Sequence, residues 1–258
     1  MVDRRVKRAI AIAASLLLAV PGIASAEPYL AGFVGAAFTQ EKGLDTKLDL
    51  NGLSLIDGTL RDVDFDTSVV FGGKVGYYFD YPVLGGNFGL ELEAYHFEPD
   101  VGSQTVTFSG MALGFPPEFK TTIQKADIEV TSVALNLLYR LELGQSDVFP
   151  HGRVQPYVGV GLGLFIATLS TTTTPFVANK NINDTDVQPG GQVLAGARFF
   201  LTPYIALFAE YKFVQTAEFT FDFKASGTSA LFGPATETAR DQADLTQHQL
   251  LGGISFHW

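Results

Sequence analysis

The chain has 258 residues, 47% of them hydrophobic and only 17% charged, with no cysteine and a formal charge of −10. Its length suits one domain or two small ones. The missing cysteines exclude disulfides and cysteine-type zinc sites as stabilising devices, and the acidic balance excludes nucleic-acid binding through phosphate contacts, which needs a Lys/Arg surplus.

The first predicted element is not part of the fold. Arg4, Arg5, Lys7 and Arg8 form a basic cluster, residues 9–20 are an unbroken apolar run, and Pro21-Gly22 break any helix. Ala24-Ser25-Ala26 then forms a small-x-small site before Glu27. That order is a secretory signal peptide, and the run is too short to cross a bilayer as a helix. Cleavage is expected after Ala26, leaving a leader of 1–26 and a mature domain of 27–258. The residues after Arg4-Arg5 do not make a twin-arginine signal, so general secretion is the expected route. Without the leader the formal charge becomes −13, from 13 basic and 26 acidic residues.

The charged fraction is well below the roughly 25% usual in soluble domains. Yet after residue 26 no apolar stretch approaches the ~20 residues of a membrane helix. A membrane chain without such helices has one other solution, a closed barrel. The period agrees, because segment after segment alternates with period 2. Strand 1, about 29–40, carries no charge, so its facing is not legible from parity. In strand 2, Val69, Phe71, Val75, Tyr77 and Phe79 oppose Lys74; in strand 3, Phe88, Leu90, Leu92 and Ala94 oppose Glu91 and Glu93. Strand 4 sets Val133, Leu135, Leu137, Tyr139 and Leu141 against Ser132, Asn136 and Arg140. Strand 5 sets Val158, Val160, Leu162, Leu164 and Ile166 against Gly159, Gly161 and Gly163. In strand 6, Val193, Ala195, Ala197 and Phe199 oppose Gln192 and Arg198. In strand 7, Ile205, Leu207, Ala209, Tyr211 and Phe213 oppose Glu210 and Lys212. Strand 8 opposes Leu250, Ile254, Phe256 and Trp258 to Gln247, Gln249, Ser255 and His257.

Eight strands is an even number, as single-chain bacterial barrels have. Five outward residues span about nine positions, roughly 30 Å of strand, and a tilt near 40° turns that into an apolar band of about 23 Å. Short connections are expected at 80–87, 142–153 and 202–203, and long ones at 41–66, 99–126, 171–187 and 225–244. Short periplasmic turns and long outer loops are the asymmetry of such barrels, which puts both mature termini in the periplasm. Tyr77, Phe79, Phe88, Tyr139, Phe199, Phe256 and Trp258 share one parity at one end of the strands and read as the lower aromatic girdle. A soluble barrel alternates equally but with the opposite facing. The export signal, the glycine-rich charged-parity faces and the terminal aromatic favour lipid.

The last strand ends on aromatic Trp258 with apolar residues at alternate positions before it, similar to the C-terminal signature of outer-membrane proteins. The stretch Gln155-Pro156-Tyr157-Val158-Gly159-Val160-Gly161-Leu162-Gly163 resembles the fifth strand of the small barrels of the OmpA-like and OmpW-like type. The resemblance implies an eight-stranded antiparallel transmembrane barrel in a Gram-negative outer membrane. It also implies outer-membrane lipid and lipopolysaccharide as surroundings and the barrel-assembly machinery as folding partner.

For chemistry, Lys74, Glu91, Glu93, Arg140, Arg198, Glu210 and Lys212 are expected inside the barrel. So narrow a lumen is filled by side chains, and buried charges must be paired. The four histidines make no Ser-His-carboxylate set by spacing; His96 with Asp100 is the one local pair, read as a rim hydrogen bond. No cofactor or metal is expected. The acidic stretch from Glu41 to Asp66 reads as a solvated loop, with binding of divalent cations that bridge lipopolysaccharide phosphates as the alternative. Phe108, Met111, Leu113, Phe115 and Phe119 make the second long loop apolar, either over the barrel mouth or as a sticky surface. Strand 7 is expected to continue outward with Phe219, Phe221 and Phe223 on its outward parity, either as an exposed interaction surface or covered by the apolar residues of the second long loop. Together these features predict a non-enzymatic scaffold presenting four extracellular loops for envelope integrity or adhesion, its extracellular ligand unspecified. A narrow porin-like or hydrophobic-solute channel is the first alternative and a lipid-modifying rim enzyme the second.

Overall fold

Period-2 alternation carries far more of the chain into strands than the eight spans require. The computed structural model describes residues 26–40, 42–123, 125–171, 182–229 and 233–258; the expected leader lies outside them except for its last residue. The described strands are β1 (Ala26–Thr39), β2 (Lys42–Leu50), β3 (Leu53–Val63), β4 (Ser68–Val83), β5 (Gly86–Phe97), β6 (Gln104–Ala112) and β7 (Glu118–Ile123). They continue with β8 (Asp127–Leu141), β9 (Val154–Thr171), β10 (Ile182–Thr202), β11 (Ile205–Thr216), β12 (Phe219–Ser229), β13 (Gly233–Ala243) and β14 (Thr246–His257).

Eight of them close a barrel in the order β1-β14-β11-β10-β9-β8-β5-β4, every pairing antiparallel and β4 returning to β1. These are the eight spans expected from the sequence. Tyr29 pairs with His257, so the start of β1 and the end of β14 meet at one end, together with the turns after β4, β8 and β10. The β4–β5 turn is a two-residue hairpin in which Leu84 (φ 51°) and Gly85 (φ 82°) both take positive φ, the backbone a tight hairpin requires.

The facing is that of a membrane barrel. Leu30, Val34, Phe71, Leu135, Leu162 and Leu250 are 53–77% exposed on the outer wall, while Lys74, Glu93 and Lys212 are at most 2% exposed inside. An apolar exterior around a charged interior inverts the soluble barrel.

The other six strands form a second sheet, β12-β13-β2-β3-β6-β7, at the far end of the barrel. The long connections expected at 41–66, 99–126 and 225–244 thus supply the strands of this second sheet. The β2–β3 turn is Asn51-Gly52 with φ of 51° and 83°, the dipeptide most typical of a two-residue hairpin. The expected connection 171–187 is also shorter than the spacing implied, because β9 and β10 stay paired out to Thr171 opposite Ile182.

Strand 7 differs most from its reading. β11 ends at Thr216, Ala217 and Glu218 are both exposed, and β12 resumes with the opposite facing. A break that skips one residue of the alternation moves every later side chain to the other face. Phe219, Phe221 and Phe223 therefore point inward, 4–6% exposed, and are not the exposed interaction surface expected. They join one apolar cluster with Phe97, Phe165, Val214 and Leu245. The apolar second loop does not cover them: Phe108 is buried in the sheet against Phe119, whose ring stacks on Phe115 4.9 Å away.

β12 is an edge strand of its sheet, and β10 caps it. Asp186 Oδ2 accepts the Thr220 amide at 2.9 Å and Asp184 Oδ2 the Asp222 amide at 2.8 Å. Capping unpaired edge amides closes that template to foreign strands and ties the sheet to the barrel wall.

Candidate functional site

The barrel interior is where the sequence concentrates its cost. β4 contributes Lys74, β5 Glu91 and Glu93, β10 Arg198 and β11 Glu210 and Lys212, all on the inward parity. Lys74 Nζ donates to Glu210 at 2.7 and 2.8 Å and lies 3.4 Å from Glu91 and 3.5 Å from Glu93. Lys212 pairs closely with Glu93 and stands 3.7 Å from Glu210, and Arg198 lies 3.7 Å from Glu91.

Neutral side chains occupy the remaining acceptor positions. Asn136 donates to Glu91 (2.8 Å) and Glu93 (3.2 Å), Gln192 to Glu93 (2.9 Å), Tyr29 to Glu91 (2.5 Å) and Tyr157 to Glu210 (2.9 Å). Arg198 is packed on rings, with its guanidinium carbon 4.3 Å from the centre of Tyr29 and 4.8 Å from that of Tyr157. Such satisfaction is what makes buried ions tolerable, since an unpaired buried charge costs several kcal/mol.

Arg140 sits apart, at the turn end. It donates to Glu27 at 2.5 Å, to Gln155 at 3.0 Å and to Glu142 at 3.2 Å, above the Tyr78 ring. Glu27 was missed because strand 1 was started at residue 29; beginning it two residues earlier puts a carboxylate on the inward parity. With Glu27 and Glu142 included, four buried cations face five carboxylates. Tyr29, Tyr157, Asn136 and Gln192 were missed as partners: Asn136 and Gln192 share the parity of Arg140 and Arg198, Tyr157 that of Gly159 and Gly161, and Tyr29 that of Glu27. Around Arg140 the turn end opens into a cavity of about 390 Å³, lined by residues that include Glu27, Asn87, His257, Phe200 and Trp258.

At the opposite end the lumen changes character. Ala37, Val70, Phe97, Val130, Phe165 and Val214 fill it from the wall, and Phe219, Phe221, Phe223 and Leu245 close over them in the same cluster. Most of these residues are completely buried. The result is a polar layer beneath an apolar cap, with the six-stranded sheet above.

The seven expected girdle residues all lie on the outer wall near the turn end, and they pair across the surface. Tyr77 and Phe79 meet edge-on at 5.0 Å, Phe88 and Tyr139 are 5.1 Å apart, and Arg153 covers Phe199 at 5.0 Å. Phe256 and Trp258 are 49% and 65% exposed. A second ring toward the sheet end was not read from the sequence: His248 with Tyr211 and Phe213, and His96 with Phe71. His96 meets Thr131 (3.0 Å) and Glu98 (3.3 Å), not Asp100, which accepts from the Ile128 amide.

One alignment looks catalytic. Ser255 Oγ is 2.9 Å from His257 Nε2, and His257 Nδ1 is 2.6 Å from Glu27, the order of a Ser-His-carboxylate relay. Ser255 is 0% exposed, however, and is not among the residues that line the cavity. Among the described residues no group of three potential ligands converges on a metal position.

The sequence matches the family described as outer membrane protein beta-barrel domain over residues 10–256. Similar solved structures include Neisserial surface protein A, at 13% identity and a TM-score of 0.38 over 90% of this chain and 97% of that one. Another is Ail, the attachment invasion locus protein of Yersinia pestis, in complex with the heparin analogue sucrose octasulfate, at 10% identity and a TM-score of 0.37 over 91% and 99%. A third is the outer membrane protease OmpT of Escherichia coli, at 6% identity and a TM-score of 0.44 over 91% and 97%. None of the curated proteins matches the chain. A match across nearly the whole sequence meets a closed eight-stranded barrel with an apolar wall, and the chain belongs to the outer membrane protein β-barrel domain family.

Proposed function

We propose that this protein is a closed, non-enzymatic platform that holds a six-stranded β-sheet on the outside of the outer membrane, for adhesion or envelope integrity. The observation that carries the reading is the filled lumen, paired ions below and an apolar cap above, which leaves no polar path along the axis. In this reading the turn end and both mature termini are periplasmic and the sheet is extracellular. The aromatic rings at the two ends of the wall then sit at the headgroup levels, the upper one among lipopolysaccharide. Trp258, closing β14, is the feature offered to the assembly machinery. The buried Ser255 supports the absence of hydrolysis.

Planar-bilayer recording of the refolded chain tests closure: no unitary current is expected, and stable conductance steps would replace the platform with the channel alternative. Orientation is tested on intact cells, since the chain has no cysteine of its own. A membrane-impermeant maleimide should label Ser109→Cys on the sheet and not Gln145→Cys in the β8–β9 turn. The reverse pattern would invert the topology.

A further inference from the structure

The polar face of the sheet carries alternating charges and hydroxyls, among them Lys47 paired with Asp57 at 3.4 Å and Arg240 with Asp222 at 2.6 Å. Among the described residues that pattern fails at the tip of two neighbouring hairpins. The β2–β3 and β6–β7 hairpins end side by side, since Ile56 pairs with Ala112 and the Leu113 amide donates to Leu55 O at 2.9 Å. There Leu53, Met111, Leu113 and Phe115 are 61, 50, 66 and 63% exposed. These apolar side chains lie beyond the sheet end of the barrel, so the bilayer around the wall does not explain them. They are also held in place: Gly114 turns the chain at φ 86°, Pro116-Pro117 stiffen it, and Phe115 stacks on Phe119, which packs on Phe108.

The charge around the tip is net acidic, with Lys47 of β2 offsetting Asp57 alone. Segments 49–57 and 109–118 contain Asp49, Asp57 and Glu118 and no Lys or Arg. Apolar anchors inside an acidic rim are complementary to apolar residues inside a basic rim, where the anchors supply affinity and the rim supplies steering and specificity. An anionic lipid surface is disfavoured by the same rim.

Resting on the platform reading, we propose that Leu53, Met111, Leu113 and Phe115 form a docking surface for a cationic amphipathic polypeptide. The partner inserts apolar side chains between the two hairpin tips while its Lys and Arg side chains meet Asp49, Asp57 and Glu118. Preorganisation by the stacked rings and the Pro-Pro turn reduces what ordering the tip costs on binding.

The test uses the full mature chain in nanodiscs of zwitterionic lipid and a fluorescent Leu/Lys amphipathic helix as probe, with the signal of empty discs subtracted. Saturable binding that weakens with salt is expected. Leu113→Ser with Phe115→Ser should weaken it at least about tenfold, and Leu53→Ser alone should weaken it less. Asp57→Asn with Glu118→Gln should flatten the salt dependence. Heat-shifted gel migration confirms that each variant keeps its barrel. Equal binding by the double-serine variant, equal binding of a Leu/Glu helix, or tip-dependent capture of plain zwitterionic vesicles would each overturn the proposal. An absent probe signal with a silent bilayer recording refutes the docking surface alone. Conductance steps refute the platform itself.

Discussion

Gly161 and Leu162 are neighbours in β9 that face opposite worlds. Leu162 is 77% exposed on the outer wall, where an arginine near mid-bilayer costs about 2–4 kcal/mol. On parity alone Gly161→Ala promises to be the far milder change. The structure corrects that, because a Cβ at Gly161 would overlap Asn136 Oδ1 and press on Gln192. Asn136 cannot yield freely while it holds Glu91, Glu93 and Gln192. Gly161→Ala is therefore expected to cost about 1–3 kcal/mol, as buried hydrogen bonds are lost, and denaturant unfolding of both variants in the same lipid measures the two effects. Arg198→Ala leaves Glu91 without its guanidinium and should cost about 3–5 kcal/mol. It should open no conductance, since the apolar cap around Phe97 and Phe165 stays in place; a current from this variant would move the seal down to the ion pairs.

At the scale of elements, β12 and β13 decide how the sheet is attached. Phe221→Ala removes a buried ring shared by sheet and barrel mouth and should cost about 3–5 kcal/mol. The loss should be local: hydrogen exchange is expected to rise in β12 and β13 while β9 and β14 remain protected. Uniform destabilisation of the barrel would mean that cap and wall unfold as one unit. Beside Phe221 in the pairing stands Asp241. Its half-buried position raises the carboxyl above the ordinary 3.8, against a hydrogen bond with Thr46 that lowers it. The folded sheet thus favours the protonated form, and it loses stability as pH rises from the ordinary carboxylate range through the raised value. Protection of β13, measured relative to the intrinsic pH dependence of amide exchange, should fall as pH rises above the ordinary carboxylate range, and Asp241→Asn should flatten that fall.

For the whole molecule, closure is the governing property. A ring of eight antiparallel strands has no free edge, so every span is hydrogen-bonded on both sides and the barrel resists detergent. The mature chain is expected to fractionate with outer membranes and to migrate differently on a gel with and without boiling. Recovery as a soluble periplasmic protein would contradict the membrane assignment. The second sheet is open, but its two edges are unlike. β12 is capped by Asp184 and Asp186, whereas β7 shows only its pairing with β6 among the described residues.

Alternation is a local property, which is why the eight spans and their facing were legible from residue order alone. Strand parity also put Lys74, Glu91, Glu93, Arg198, Glu210 and Lys212 on the inner wall, because charge on one parity and large apolar residues on the other leave only one arrangement in lipid. Pairing between distant strands has no such signature. Nothing local says that 42–63, 104–123 and 219–243 share one sheet, although Asn51-Gly52 marks a hairpin within it. A single break at Ala217-Glu218 was enough to turn Phe219, Phe221 and Phe223 from a supposed surface into the cap of the lumen. The partners of each charge were equally hidden, since Lys74 and Glu210 are 136 residues apart and meet only because the sheet closes. Period and composition are written residue by residue; which side chains come to face one another is settled by closure and register.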